Sequence, residues 1–165
     1  MTVQEILLLG NPQLYRKSDT VLPSELNGLK SVIQDLHDTM MDFRERYKVG
    51  RAIAAPQIGV MKRIVYMHID SPTVFLNPVL KNQSDEMIEL WDDCMSFPDL
   101  LVRVRRHKSC TIEYRDLEWA QQSLDLEDDL SELLQHECDH LDGVLATMRA
   151  VDDQSFALKS QKQML

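Results

Sequence analysis

Cysteine is scarce in this chain, basic residues are outnumbered by acidic ones, and no long uninterrupted apolar stretch occurs. Its 165 residues include three cysteines, Cys94, Cys110 and Cys138. That number is odd, and Met1 to Glu5 lacks the basic region that opens a signal peptide, so a disulfide framework is not expected. No apolar run approaches the roughly 20 residues that cross a bilayer, so no membrane association is expected. Lys and Arg number 18 against 27 Asp and Glu, a formal net charge of −9. Non-specific binding to nucleic acid or an anionic membrane needs a basic surface, and this balance argues against both. The expected setting is a reducing cytoplasm. There, a cysteine with a special role is a metal ligand or a nucleophile.

At 44% hydrophobic and 27% charged, the remainder reads as an ordinary globular protein, long enough to bury one core. No internal repeat, low-complexity segment or linker divides it, and the prediction is a single domain over residues 1–165 of the α+β class. Glu5 to Pro12 is a short apolar run ended by turn residues, predicted to be extended and packed on the core. From Ser24 the pattern turns helical: Leu26, Leu29, Ile33, Leu36, Met40, Phe43 and Tyr47 recur every three or four residues and predict a helix packed on a sheet. Val49 to Gly59 is rich in small residues and follows neither period. It reads equally as a tight packing crossover or as backbone that a substrate approaches closely.

Strands are predicted from Arg63 to Ile69, Thr73 to Leu76 (stopped by Asn77-Pro78), Glu86 to Trp91, Leu101 to Arg105, Cys110 to Tyr114 and Ser123 to Leu126. The basic cluster Arg103, Arg105, Arg106, His107 and Lys108 reads as a solvated turn or edge guard. Asp128-Asp129 opens a second helix, with acidic residues at its positive end, and Gly143 stops it. The tail from Asp152 is weakly amphipathic and predicts a short terminal helix.

That second helix carries His136-Glu137-Cys138-Asp139-His140. At 3.6 residues per turn, His136 and His140 share one face and can grip one metal ion, with Glu137 beside them. Catalytic sites of this kind use three protein ligands and leave a position open for water. Cys94, Cys110, Cys138, His37, His68, His107 and many carboxylates are candidates for the third. Cys138 points off the histidine face and Cys110 alternates into a strand, so both read as core. Cys94 follows a strand in a turn-like setting and leads on spacing. The same pattern also arises in a solvated helix by chance, or as a closed structural zinc site. Glu137, next to a ligand where a general base belongs, favours catalysis.

Gln135-His136-Glu137-Cys138-Asp139-His140-Leu141-Asp142-Gly143 resembles the third motif of the peptide deformylase family. Gly50 to Gly59 resembles its first motif, Gly-x-Gly-φ-Ala-Ala-Pro-Gln-φ-Gly, and Asp92 to Ser96 its second, Glu-Gly-Cys-Leu-Ser. Gly10-Asn11-Pro12-x-Leu14-Tyr15 fits an early segment of the family. The resemblance implies small mixed β-sheets around a central helix carrying the histidines, with an N-terminal amphipathic helix. It implies that Cys94, His136 and His140 bind one divalent metal ion, natively Fe²⁺, with Zn²⁺, Ni²⁺ or Co²⁺ as alternatives. Glu137 then acts as general base and acid on the formyl group of N-formylmethionyl nascent peptides, at the ribosome, while Gln57 and the Met95 N–H stabilise the oxyanion. The peptide is expected to lie as an added strand along Gly50, Arg51, Ala52 and Ile53, with Arg106 helping to hold its course.

The surroundings depart from the family pattern. Arg51 stands where an apolar residue is usual, Ala52 replaces the second glycine of the first motif, and Asp93 replaces the glycine before Cys94. Asp129, Glu132 and Leu133 fall near the pocket for the methionine side chain. Unpaired charges there are costly. Two arrangements follow: Arg51 pairs with Asp93, Asp129 or Glu132 across the cleft, or these side chains swing out to solvent. Two further readings of function accompany the deformylase: a relative with altered or reduced substrate range, and a non-catalytic binding protein stabilised by its metal.

Overall fold

The computed structural model describes residues 2–165. Helix α1 (Leu29–Tyr47) follows a 3-10 turn over Pro23–Gly28. It ends where Lys48 takes up φ +60. Its stripe buries Leu29, Leu36, Met40 and Phe43, while Tyr47 remains exposed and stacks on Phe43. Asp38 and Thr39 are buried as well. They accept the backbone N–H groups of Thr2 and Gln4, which ties the start of the chain to the helix.

The strands are β1 (Ala52–Ala54), β2 (Ile64–His68), β3 (Pro72–Lys81), β4 (Met87–Asp93), β5 (Leu100–His107), β6 (Ser109–Arg115), β7 (Gln121–Glu127) and β8 (Phe156–Leu158). They form one sheet in the order β1-β2-β3-β6-β7 and another in the order β4-β5-β8. Each of these strand pairs is antiparallel, and the one parallel bridge among the described residues, Asp19 to Lys62, is isolated. Helix α2 (Asp128–Leu141) begins directly after β7.

Successive strand side chains face opposite ways, and this distributes the core between the helices. Ala52, Ala54, Val65 and Met67 pack with Leu133, Leu134, Cys138 and Leu141 of α2. Ile53, Ile64 and Tyr66 pack with Leu36, Met40 and Phe43 of α1. The large sheet is therefore covered on one face by each helix. Leu134 and Leu141 are fully buried and α2 is buried along most of its length.

Three predicted features differ. Strand β3 does not stop at Asn77-Pro78 but runs through an irregularity between Leu76 and Val79. Asn77 adopts φ +50, and its amide bonds both the N–H and the C=O of Val21, so the kink is held from outside the sheet. The C-terminal segment forms β8 and a 3-10 turn (Lys159–Met164) instead of an α-helix. Pairing with Leu100 to Val102 satisfies its backbone there. The N-terminal apolar run is bonded to the core but leaves Leu8 and Leu9 exposed. Its Leu7 N–H donates to Gln57 O and its Leu9 N–H to Ser96 O, both at 2.8 Å, so it steadies two loops beside the histidines.

Gly143 closes α2 at φ +72, where a side-chain carbon would come within 2.5 Å of the Tyr15 carbonyl oxygen. Only glycine fits this crossing.

Candidate metal centre and substrate cleft

Helix α2 delivers His136 and His140 one turn apart, with ring centroids 4.9 Å apart. Cys94 arrives from the turn that follows β4. His140 Nε2 lies 3.2 Å from His136 Nε2 and 3.3 Å from Cys94 Sγ, and the three donor atoms all fall within 4.8 Å of one another. A tetrahedral ion with bonds of about 2.0 Å to nitrogen and 2.3 Å to sulfur sets its ligands about 3.3–3.6 Å apart. The donor set and spacing fit such an ion. All three residues are buried.

The other candidates for the third position are elsewhere. Cys110 lies in the core beside Ser131, and Cys138 is buried against the sheet, where burial pushes its thiol well up from the ordinary range. His37 bonds the Tyr66 hydroxyl at 2.6 Å between α1 and β2, with His68 stacked on it, and His107 contacts the Ser84 carbonyl.

Behind Cys94, His136 and His140 lies a charged network that sequence reasoning missed. Asp92 Oδ2 accepts from His136 Nδ1 at 2.9 Å and from Arg106 Nη2 at 3.0 Å. Arg106 Nη1 donates to Asp139 at 2.8 Å, and Arg149 grips Asp139 with two further bonds. Burial alone would raise the Asp92 carboxyl, but the charges and hydrogen bonds of His136 and Arg106 outweigh it and hold the group at about 2. An ionised Asp92 fixes the His136 ring so that Nε2 faces the other donors.

Arg106 thus departs from both expectations. It is 3% exposed, neither a solvated guard nor a wall of the substrate cleft. Arg103, Arg105 and Lys108 are the members that reach solvent: Arg103 pairs with Glu89 and Asp152, Arg105 with Glu89, and Lys108 with Glu86. The available signal was alternation: Arg106 shares the inward face of β5 with Val102 and Val104, and Asp92 and Asp139 wait there to compensate it.

Glu137 is 4% exposed, and its Oε2 is buried with no partner among the described residues. Burial lifts its carboxyl to about 7, against the pull of a charged His136. Gln57 is anchored by its Oε1, which accepts from Ala54 N–H at 2.9 Å, and its Nε2 points to Ser96 Oγ at 3.2 Å and Cys94 Sγ at 3.6 Å. Gln135 is a clamp: its amide bonds both the N–H and the C=O of His107. Its side chain therefore holds α2 to β5.

A cavity of about 370 Å³ opens in front of the donors. Gly50, Arg51 and Ala52 line one side, Leu90, Trp91 and Met95 another, and Glu132 and Leu133 the helix side. Gly50 has φ +128, and an added side-chain carbon would lie 3.0 Å from the Met95 methyl. Ile53 faces away, fully buried against α1. Arg51 Nη2 bonds Glu132 Oε1 at 2.6 Å, and Arg51 Nη1 is 3.9 Å from Asp129. Asp129 is largely solvated, at 92% exposure of its side chain, and Asp93 pairs instead with Lys159 at 2.9 Å. Of the three expected pairings, Glu132 makes the close one.

A model of the polypeptide deformylase family matches residues 3–156. The chain belongs to the peptide deformylase family. "Peptide deformylase 1" of Prochlorococcus marinus is 36% identical over 177 residues, covering 98% of this chain and 88% of its own. The crystal structure of the Thermotoga maritima peptide deformylase superposes with a TM-score of 0.84 at 27% identity, over 92% of this chain and 100% of that one. The Met-Ala-Ser-bound enzyme of Acinetobacter baumannii gives 0.82 at 26% identity, over 90% and 99%. Membership makes this chain a metal-dependent hydrolase, and its α+β architecture is that of the solved deformylases. No helix among the described residues is long and apolar enough to cross a membrane.

Proposed function

We propose that residues 1–165 act as one domain that removes the formyl group from N-formylmethionyl nascent peptides, with Cys94, His136 and His140 holding the ion. Three clustered buried donors, two of them (Cys94 and His136) lining the cavity beside the partnerless Glu137 oxygen, carry this reading. The soft thiolate with two imidazoles suits Fe²⁺, Zn²⁺, Ni²⁺ or Co²⁺, and Fe²⁺ is our assignment for the cytoplasmic enzyme. When bound, the ion supplies Lewis acidity, acidifying water and polarising a carbonyl.

The chain's own residues do the rest. Glu137 accepts a proton at its buried carboxylate and returns it to the departing amine. Gln57 Nε2 and the Met95 N–H, which has no backbone acceptor among the described residues, donate to the oxygen on the formyl carbon as it becomes tetrahedral. The peptide enters extended. Strands β1 and β4 each end a sheet, so each has one unpaired edge beside the cavity on which a peptide adds as a strand. Gly50, Arg51, Ala52 and Leu133 border its first residue.

The test is anaerobic. Protein loaded with Fe²⁺ is offered formyl-methionyl peptides at the ribosome exit site and free in solution, and formate is measured. Wild type turns over; Glu137→Ala retains its metal and loses about 10²–10⁴-fold in kcat. No turnover by the wild type, or undiminished turnover by the variant, overturns the assignment. A second reading, altered substrate range, is favoured by one contact, the Arg51–Glu132 pair.

A further inference from the structure

The Arg51–Glu132 pair stands in the wall of the cavity, not on the outer surface. Glu132 keeps only 10% of its side chain exposed, while Arg51 keeps 41%. Burial raises the Glu132 carboxyl and Arg51 opposes the rise. Of the other carboxylates around the cavity, Asp92 has Arg106 and Asp93 has Lys159, while Glu137 keeps a buried Oε2 with no partner among the described residues. The Arg51–Glu132 stretch of the wall is close to neutral in charge and yet rich in hydrogen-bonding capacity. Glu132 spends Oε1 on Arg51, and Oε2 has no partner among the described residues. Arg51 has five N–H donors and commits one of them closely. The same lining includes the apolar side chains of Leu90, Met95, Leu133 and Phe43.

A side chain entering such a space meets both apolar lining and the polar Arg51–Glu132 pair. A purely hydrocarbon tip strips water from Arg51 and Glu132 and returns nothing. A cationic tip meets Arg51, and an anionic tip meets Glu132. A neutral carboxamide satisfies both, because its NH₂ donates to Glu132 Oε2 and its oxygen accepts from Arg51. Resting on the deformylase reading, we propose that Arg51 and Glu132 are specificity residues that read the tip of the substrate's first side chain and favour a carboxamide over a hydrocarbon tip of equal length. The methionine thioether, a weak acceptor, falls between the two.

The experiment compares peptides that begin with glutamine and with norleucine, both unbranched and of similar length. Formylated pairs are assayed for kcat/KM on the metal-loaded enzyme, and unformylated pairs are titrated by calorimetry. The wild type prefers glutamine to norleucine. In Arg51→Leu/Glu132→Leu that ratio falls about tenfold or more, the scale of a hydrogen bond to a charged group. Glu132→Gln, which keeps the shape and an acceptor for Arg51, moves the ratio part of the way and serves if the double variant does not fold. A ratio that stays constant across wild type and variants, or a wild-type preference for norleucine, overturns the proposal. The calorimetric ratio decides it even if no formylated peptide is hydrolysed, an outcome that would instead remove the deformylase reading.

Discussion

Behind the histidines, Arg106 is 3% exposed and spends its guanidinium on Asp92 and Asp139; across the cleft, Arg51 leaves 41% of its side chain in solvent and bonds one buried carboxylate closely. Both are arginines next to acids in contact with the same helix, but they are held very differently. Arg106 sits in a chain of bonds that runs from Arg149 through Asp139 and Asp92 to His136. Removing Arg106 or Asp92 leaves a buried charged neighbour short of a partner in low dielectric. Arg51 is free to turn outward, and only Glu132 would be left behind. Rigid connection belongs where a ring must hold its orientation to a fraction of an ångström. A wall that receives different side chains tolerates one mobile member.

The largest expected effect attacks the rigid side. Arg106→Met leaves Asp92 without its buried guanidinium and Asp139 with Arg149 alone, and unfolding in denaturant should show a loss of about 3–5 kcal/mol. Metal affinity, read by competition with a chelator, should fall about 10–100-fold because His136 loses its orienting carboxylate geometry. A loss near zero would erase the contrast between the two arginines.

On the cleft side, Arg51→Leu strands Glu132 and should cost about 1–3 kcal/mol, whereas Glu132→Leu lets Arg51 relax into water and costs less. The pH dependence has a definite sign. Burial already raises Glu132 above its ordinary 4.5, and Arg51 works against that rise. Without Arg51 the folded value climbs further, so the folded state binds the proton more tightly than the unfolded one. The variant's deficit should be small below pH 4.5 and grow as pH rises towards the folded value. Melting curves across pH 4 to 8 would show it; a deficit that shrinks with rising pH contradicts the assignment.

The smallest effect is at the rim. Asp93 pairs with Lys159 in a half-exposed bridge. Asp93→Asn should change stability by less than about 0.5 kcal/mol and leave the Arg51–Glu132 geometry alone. A large shift would mean that the rim is coupled to the wall.

Much of the fold was readable in residue order because it depends on local periodicity. The α1 stripe sends Leu29, Leu36, Met40 and Phe43 inward, and β6 alternates so that Cys110 and Ile112 face the core, as the pattern selects. Misreadings arose where a distant partner overrode a local cue. Asn77-Pro78 looks like a stop, but Val21 holds the kink and the strand continues. The weak amphipathy of the tail suggests a helix, but the open edge of β5 offers hydrogen bonds that a strand can take. Arg106 looks like one more surface cation until Asp92 and Asp139 are found beneath it.

The sequence by itself determined the grip of α2, because a helical turn of 3.6 residues puts His136 and His140 on one face whatever surrounds them. It also determined that Glu137 stands beside them, and the order of the three motifs places the chain in its family. Only the tertiary structure decided that Cys94, and not another cysteine, completes the donor set, because the turn after β4 is brought to α2 by the packing of the small sheet. It likewise decided which of three carboxylates Arg51 holds. Residues 51 and 132 are 81 positions apart. No spacing rule links them, only the packing of β1 against α2 that closes the cleft.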